Sequence, residues 1–206
     1  MPKTSPQSRS GSPQTSRDKL LASAIACFDE HGLSGMTIEQ IRRRANSSIG
    51  SLYHHFGNRD GLIAALFLAL LDQQIAWSQS ALDDATTPHE VVDAIIRGYL
   101  EWVGHHPREA RFMYAARSEV AAGPSAAQLK EKNKERFGHL MGRLKAGVAA
   151  GEIRALPRET YAPLLVGASE NYCRAWLSGR VSAEPVSHAS VFVDAAWRSI
   201  SVAPAD

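Results

Sequence analysis

Cysteine is almost absent from this chain. Cys27 and Cys173 are too few and too distant for a disulfide framework or a zinc knuckle, so they read as two reduced thiols packed among helices. Long apolar runs are missing as well. The longest, Leu62 to Leu71, spans ten residues, whereas a membrane-spanning helix needs about 20. Met1 to Thr15 is rich in Ser, Pro and Thr with Lys3 and Arg9, and it lacks the apolar stretch of a secretory signal. Sustained apolar–polar alternation, the mark of strands, does not occur. Nor does a Gly-rich phosphate loop, a nucleophile elbow or a paired-carboxylate motif. The pairs His54-His55 and His105-His106 form no shared site, because adjacent helical residues point apart. His105 and Glu109, four apart, are the one spacing that could share a metal. These absences lead to the expectation of a soluble, cytoplasmic protein that is not an enzyme and uses no cofactor and no metal.

What is present is helix. Hydrophobic residues make up 44% and charged residues 21% of the 206, enough to bury a core. Net charge is +2, but residues 1–65 carry +3 and the remainder −1, so the basic excess lies in the first third. That is where a phosphate-facing surface would be needed.

Capping signals place the helices. Thr15 to Asp18, Thr37 to Gln40 and Ser125 to Gln128 read as capping boxes, in which a hydroxyl and a side chain three residues on satisfy free N–H groups, and Thr87 to Glu90 reads as a cap with Pro at the first helical position. Gly32 ends the first helix, Asn46 suits a left-handed residue after the second, and Ser48 and Asn58 can cap the third and fourth. Ser47-Ser48-Ile49-Gly50-Ser51 has little to bury and much backbone to offer a partner. Two short helices at a tight turn, braced by a longer one, make a helix-turn-helix. The whole reads as all-α with about nine helices: 1–15 a disordered basic tail, 16–62 a helix-turn-helix DNA-binding domain, 63–206 a ligand-binding and dimerisation domain.

Within the body, Tyr99, Trp102, Phe112, Met113, Phe137, Met141 and Trp176 either line a pocket for an apolar or aromatic small molecule or are ordinary core. Two C-terminal helices, about 158–179 and 187–202, are too apolar around their circumference to be exposed on one side. Leu164, Leu165, Ala168, Tyr172, Val191, Phe192 and Ala195 are the expected dimer contacts.

Residues 33–63 carry a pattern in Gly35-Met36-Thr37-Ile38, Ile41, Ala45-Asn46, Gly50-Ser51-Leu52-Tyr53-His54-His55-Phe56, Asn58-Arg59-Asp60 and Leu62-Ile63. This stretch resembles the tetracycline-repressor (TetR) family. The resemblance implies an all-helical homodimer whose third helix enters the major groove of a palindromic operator. It also implies release by a small-molecule effector, with repression as the default mode. By position, Thr37, His54 and Arg59 would contact phosphate, and Ile49, Gly50, Ser51 and Tyr53 would approach bases or the sugar-phosphate chain. Arg43 and Ser48 complete the expected DNA-facing set. Three positions depart from the family: Asn46 for Gly, Arg42 for a small residue and Ser47 for an aliphatic. Arg42 is expected to run its stem along the surface and place its charge in water or on phosphate. The corner His105-His106-Pro107-Arg108 would relay effector binding to the fourth helix. Two rivals to this reading, an enzyme and a purely architectural DNA-binding protein, lack a motif and a need for the large body respectively.

Overall fold

The computed structural model describes residues 15–202; the expected basic tail lies outside them. Ten α-helices run in order: α1 (Ser16–Gly35), α2 (Ile38–Arg44), α3 (Ile49–Phe56), α4 (Arg59–Trp77), α5 (Gln79–Asp84), α6 (Pro88–His105), α7 (Pro107–Ala122), α8 (Ala126–Ala149), α9 (Arg158–Leu177) and α10 (Ala189–Ile200). A 3-10 turn, Pro185–His188, precedes α10. No strand occurs among the described residues, only an isolated bridge between Ile153 and Ser201. The helix beyond the expected nine is α5, whose N-cap Ser78 makes no side-chain capping bond and so left no signal.

Local chemistry explains most helix ends. The capping boxes at Thr15, Thr37 and Thr87 are all formed. Ser48 Oγ accepts the Ser51 N–H at 3.0 Å, and Asn58 Oδ1 accepts the Gly61 N–H at 2.8 Å. The expected box at Ser125 does not form: its backbone sits at φ −92, ψ 8, and its hydroxyl makes no cap bond. An N-cap accepts from N2 or N3 when its backbone is extended, and this one is not. Gly32, at φ 68 and ψ 177, breaks the regular helix of α1, and Asn46 takes the left-handed φ of 47.

The chain divides between Leu62 and Ile63 into two compact units. In the first, α1 packs on α2 and α3 around Leu20, Ala24, Ile41, Leu52 and Phe56. In the second, α6 lies at the centre, against α5, α7, α8, α9 and α10. Its Val92, Ile96, Leu100 and Trp102 have no exposed surface. By length and composition α4 could cross a membrane, but its Ile63, Leu66, Phe67 and Leu70 are buried in the fold.

The α6 cap makes a pH-dependent contribution. Glu90 accepts bonds from the Thr86 N–H, the Thr86 hydroxyl and the Thr87 N–H, which hold its carboxyl at about 2 instead of 4.5. A carboxyl depressed in the folded state stabilises above its unfolded pKa and loses that contribution as pH falls through the folded value. Acid unfolding followed by circular dichroism should therefore show less pH dependence between about 4.5 and 2 in Glu90→Gln than in the wild type.

Candidate nucleic-acid interface

The DNA-facing candidates sit on a frame built by α2, the turn at 45–48 and α3. Thr37 starts α2: its hydroxyl accepts the Gln40 N–H at 3.3 Å and donates to Gln40 Oε1 at 2.8 Å. The arginine run ending α2 is held by acids on the same unit. Arg42 donates to both Glu39 carboxylate oxygens, at 2.9 and 2.7 Å, and to the Ser47 carbonyl at 3.2 Å. Arg42 thus staples the turn between α2 and α3, which accounts for a charged side chain where the family has a small one. Arg43 leans on Glu39 at 2.6 Å but stays largely exposed, and Arg44 reaches Glu30 on α1 at 2.8 Å. Hydrogen bonds from Arg42, then Arg43, hold the Glu39 carboxyl down at about 2.

Helix α3 has two faces. Leu52 and Phe56 point into the module and are buried. Ile49 and Tyr53, four apart on the other face, are 47% and 51% exposed, although apolar residues of this size normally pack. His54 and His55 are exposed beside them. Gly50 borders open space, where a Cβ would meet only Ser48 Oγ at 3.9 Å. No internal packing explains a glycine there. The Ser51 hydroxyl lies 3.0 Å from that of Ser16 at the start of α1.

Beyond α3 the chain turns sharply. Gly57 has φ 73, and a Cβ on Gly61 would lie 2.0 Å from the Phe56 carbonyl oxygen, so both positions require glycine. This turn delivers Arg59 beneath the α1–α2 connection. Arg59 donates from Nε to the Met36 carbonyl at 3.2 Å and from Nη2 to the Leu33 carbonyl. The expected phosphate grip therefore also has a structural task. Hydrogen bonds from a charged donor contribute about 1.5–3 kcal/mol, and these two are part-buried. Arg59→Ala should lower the thermal midpoint of the full chain, read by circular dichroism, with Arg59→Lys recovering part; an unchanged melt would remove this role.

The other expected residues scatter. Trp102 and Phe112 are fully buried, and Met113 nearly so. Phe137 lies under the Arg158 guanidinium, 5.2 Å from its ring centroid. Met141 lines an open cavity of about 510 Å³ with Gly138, Lys145, Leu156 and Tyr161. Tyr99 bonds Tyr114 through their hydroxyls, a partner not singled out in the sequence, and Trp176 is half-buried. On α9 and α10, Leu165 is only 2% exposed. Ala168, Val191 and Ala195 face solvent, and Leu164 is half-buried. Tyr172 packs against Phe192 with tilted rings, their centroids 5.3 Å apart. Both cysteines are buried, which pushes their thiols up, Cys173 to about 12.

The fold and this surface define a helix-turn-helix DNA-binding protein. Residues 20–66 match the model of the bacterial regulatory proteins of the tetR family. The repressor KstR2 of Mycobacterium tuberculosis is 26% identical over 144 residues, 70% of this chain and 72% of the relative. A TetR family regulator from Marinobacter aquaeolei superposes with a TM-score of 0.76 at 17% identity, covering 90% of this chain and 95% of that one. FadR of Bacillus subtilis, solved in complex with stearoyl-CoA, gives 0.74 at 17% identity over 88% and 98%. Residues 20–66 thus match the tetR-family DNA-binding region, and the chain as a whole is similar to TetR-family transcriptional regulators. It is a DNA-binding regulator rather than an enzyme.

Proposed function

We propose that the protein is a cytoplasmic homodimeric repressor that binds a palindromic operator through α3 and leaves it when a small molecule binds the body, 63–206. The observation that carries this reading is the exposed Ile49–Tyr53 face, flanked by Gly50 and His54, on a helix whose opposite face is packed. Hydroxyl, imidazole and apolar groups on such a face suit base edges and phosphates. Thr37, Arg43, Ser48 and Ser51 frame it. For Thr37 a phosphate would compete with Gln40 for the hydroxyl, whereas exposed Arg43 can swing from Glu39 to phosphate without breaking packing.

The route from effector to DNA runs through the corner after α6. The Trp77 ring at the end of α4 lies 5.2 Å from those of both His105 and His106. A shift of the corner on ligand binding would move α4 and change the spacing of the two recognition helices. A ligand acts only through its differential affinity for the two arrangements. The testing experiment is titration of operator binding against salt. Several phosphate contacts make log K fall linearly with log salt, and a salt-independent affinity would contradict the reading.

A further inference from the structure

Helix α8 carries an open stripe beside the one that packs. Leu144 and Gly147 are buried. A Cβ on Gly147 would lie 2.7 Å from Pro88 Cγ, so α8 meets the start of α6 without a gap. Arg143 donates to the carbonyls of Leu82 and Ala85 at the end of α5. These contacts fix α8 and leave Gly138, Met141, Lys145 and Val148 on a neighbouring face, at helical spacing of three and four residues. That face forms one wall of an open cavity of about 510 Å³. Ala155, Leu156, Arg158 and Tyr161 form the other. Pockets for small molecules span about 300–1,000 Å³ and are usually preformed.

The apolar lining is the sheltered part of this cavity. Tyr161 is buried and Met141, Val148 and Leu156 are half-buried, whereas Lys145 and Arg158 are exposed. The Tyr161 hydroxyl is engaged by its own loop, donating to the Arg154 carbonyl at 2.6 Å and accepting the Leu156 N–H at 3.3 Å. The Arg158 guanidinium is placed as well, 5.2 Å from the ring centroid of Phe137, the neighbour of Gly138. Gly138 leaves the α8 wall bare, since a Cβ there would meet nothing within 4 Å. Among the described residues no Asp or Glu lines the cavity, and neither Lys145 nor Arg158 has an ion-pair partner. An apolar hollow bounded by two cations and no acid complements a molecule with an apolar body and a negative end.

We propose that this cavity, between α8 and the 155–161 segment, binds a small amphipathic anion. Its apolar body lies against Met141, Val148 and Leu156, and its carboxylate or phosphate is held by Lys145 and Arg158. The proposal goes beyond the repressor reading and does not depend on it.

Calorimetry on the full chain tests it with four eight-carbon probes: octanoate, octyl phosphate, octanamide and octylammonium. Expected is binding of octanoate or octyl phosphate, with octanamide at least about tenfold weaker and octylammonium weaker still; the tighter anion assigns the headgroup. Lys145→Gln and Arg158→Gln should each weaken the anion about three- to tenfold, as for charge-assisted contacts with partial access to solvent. Lys130→Gln makes the same change on α8 more than two turns before Gly138, outside the lining, and should leave affinity unchanged. Equal weakening there would reduce the effect to net charge and overturn the proposal. Gly138→Leu puts a side chain into the cavity where Leu is the better helix former, so it should melt no lower than the wild type yet bind at least about tenfold more weakly. Should a charge variant fail to fold, the probe series and Gly138→Leu still decide. Equal binding of octanamide, unaltered affinity in Gly138→Leu, or no binding of either anion would overturn the proposal. The last result, together with loss of a dimer in Lys145→Gln by sedimentation, would give the cavity to a second copy of the chain instead. Operator affinity of the same protein tests the repressor reading separately, so either can fail alone.

Discussion

Tyr53→Ala should lose operator affinity by about 1–3 kcal/mol per subunit contact, roughly 5- to 150-fold, with its thermal melt unchanged. Tyr53 is half exposed and Ile49, one turn earlier, nearly so. Truncating either removes little packing, and exposed substitutions of this kind normally change stability by no more than about 0.5 kcal/mol. Ile49→Ala should instead change which sequence is preferred, because an apolar side chain on a groove-facing helix discriminates through contacts such as the thymine methyl. The contrast with Arg59→Ala is diagnostic. That variant should lose stability and affinity together, since its guanidinium holds the Leu33 and Met36 carbonyls. A Tyr53→Ala protein that unfolds at lower temperature, or that binds as tightly as wild type, would take Tyr53 out of the interface.

The second large effect concerns the dimer. Ala168→Glu with Val191→Glu should yield a folded monomer by analytical ultracentrifugation, and operator affinity should fall by roughly two orders of magnitude or more as the two half-sites cease to be linked. The choice of positions follows from the burial pattern. Leu165 is consumed within the chain, so a charge there would unfold the body. Val191, at 63% exposure, and Ala168 have surface to spare. Small residues on the outer face of α9, Ala168 with half-buried Gly167 and Ala175, permit the close helix approach that a four-helix interface requires. Two glutamates per subunit would bury four unpaired carboxylates in that interface, which association cannot offset. A variant that remains dimeric places the interface elsewhere.

Much of this was legible in the residues because the signals are local. Thr37, Ser48 and Asn58 announce helix starts through bonds spanning three residues, and Gly32 and Asn46 announce ends through backbone conformation. The Leu52–Phe56 face and the poverty of the 47–51 segment separate the packed from the open side of α3. What could not be read depends on distant partners. Nothing near Arg42 in sequence says that it staples the Ser47 carbonyl, nor that Arg59 serves carbonyls more than twenty residues away. Ser125 has the residues of a capping box but not the extended backbone angle. The aromatic positions expected to line a pocket divide between solid core, such as Trp102 and Phe112, and an open groove at Met141.

Selection of bound duplexes from a random DNA library, followed by sequencing, tests the central claim most directly. The account predicts a two-fold symmetric motif with half-sites about 34–36 Å apart or a multiple of that spacing. Enrichment should disappear in Tyr53→Ala, and bases near the half-site centres should change in Ile49→Ala. Recovery of no motif, or of the same motif at the same strength from both variants, would contradict it.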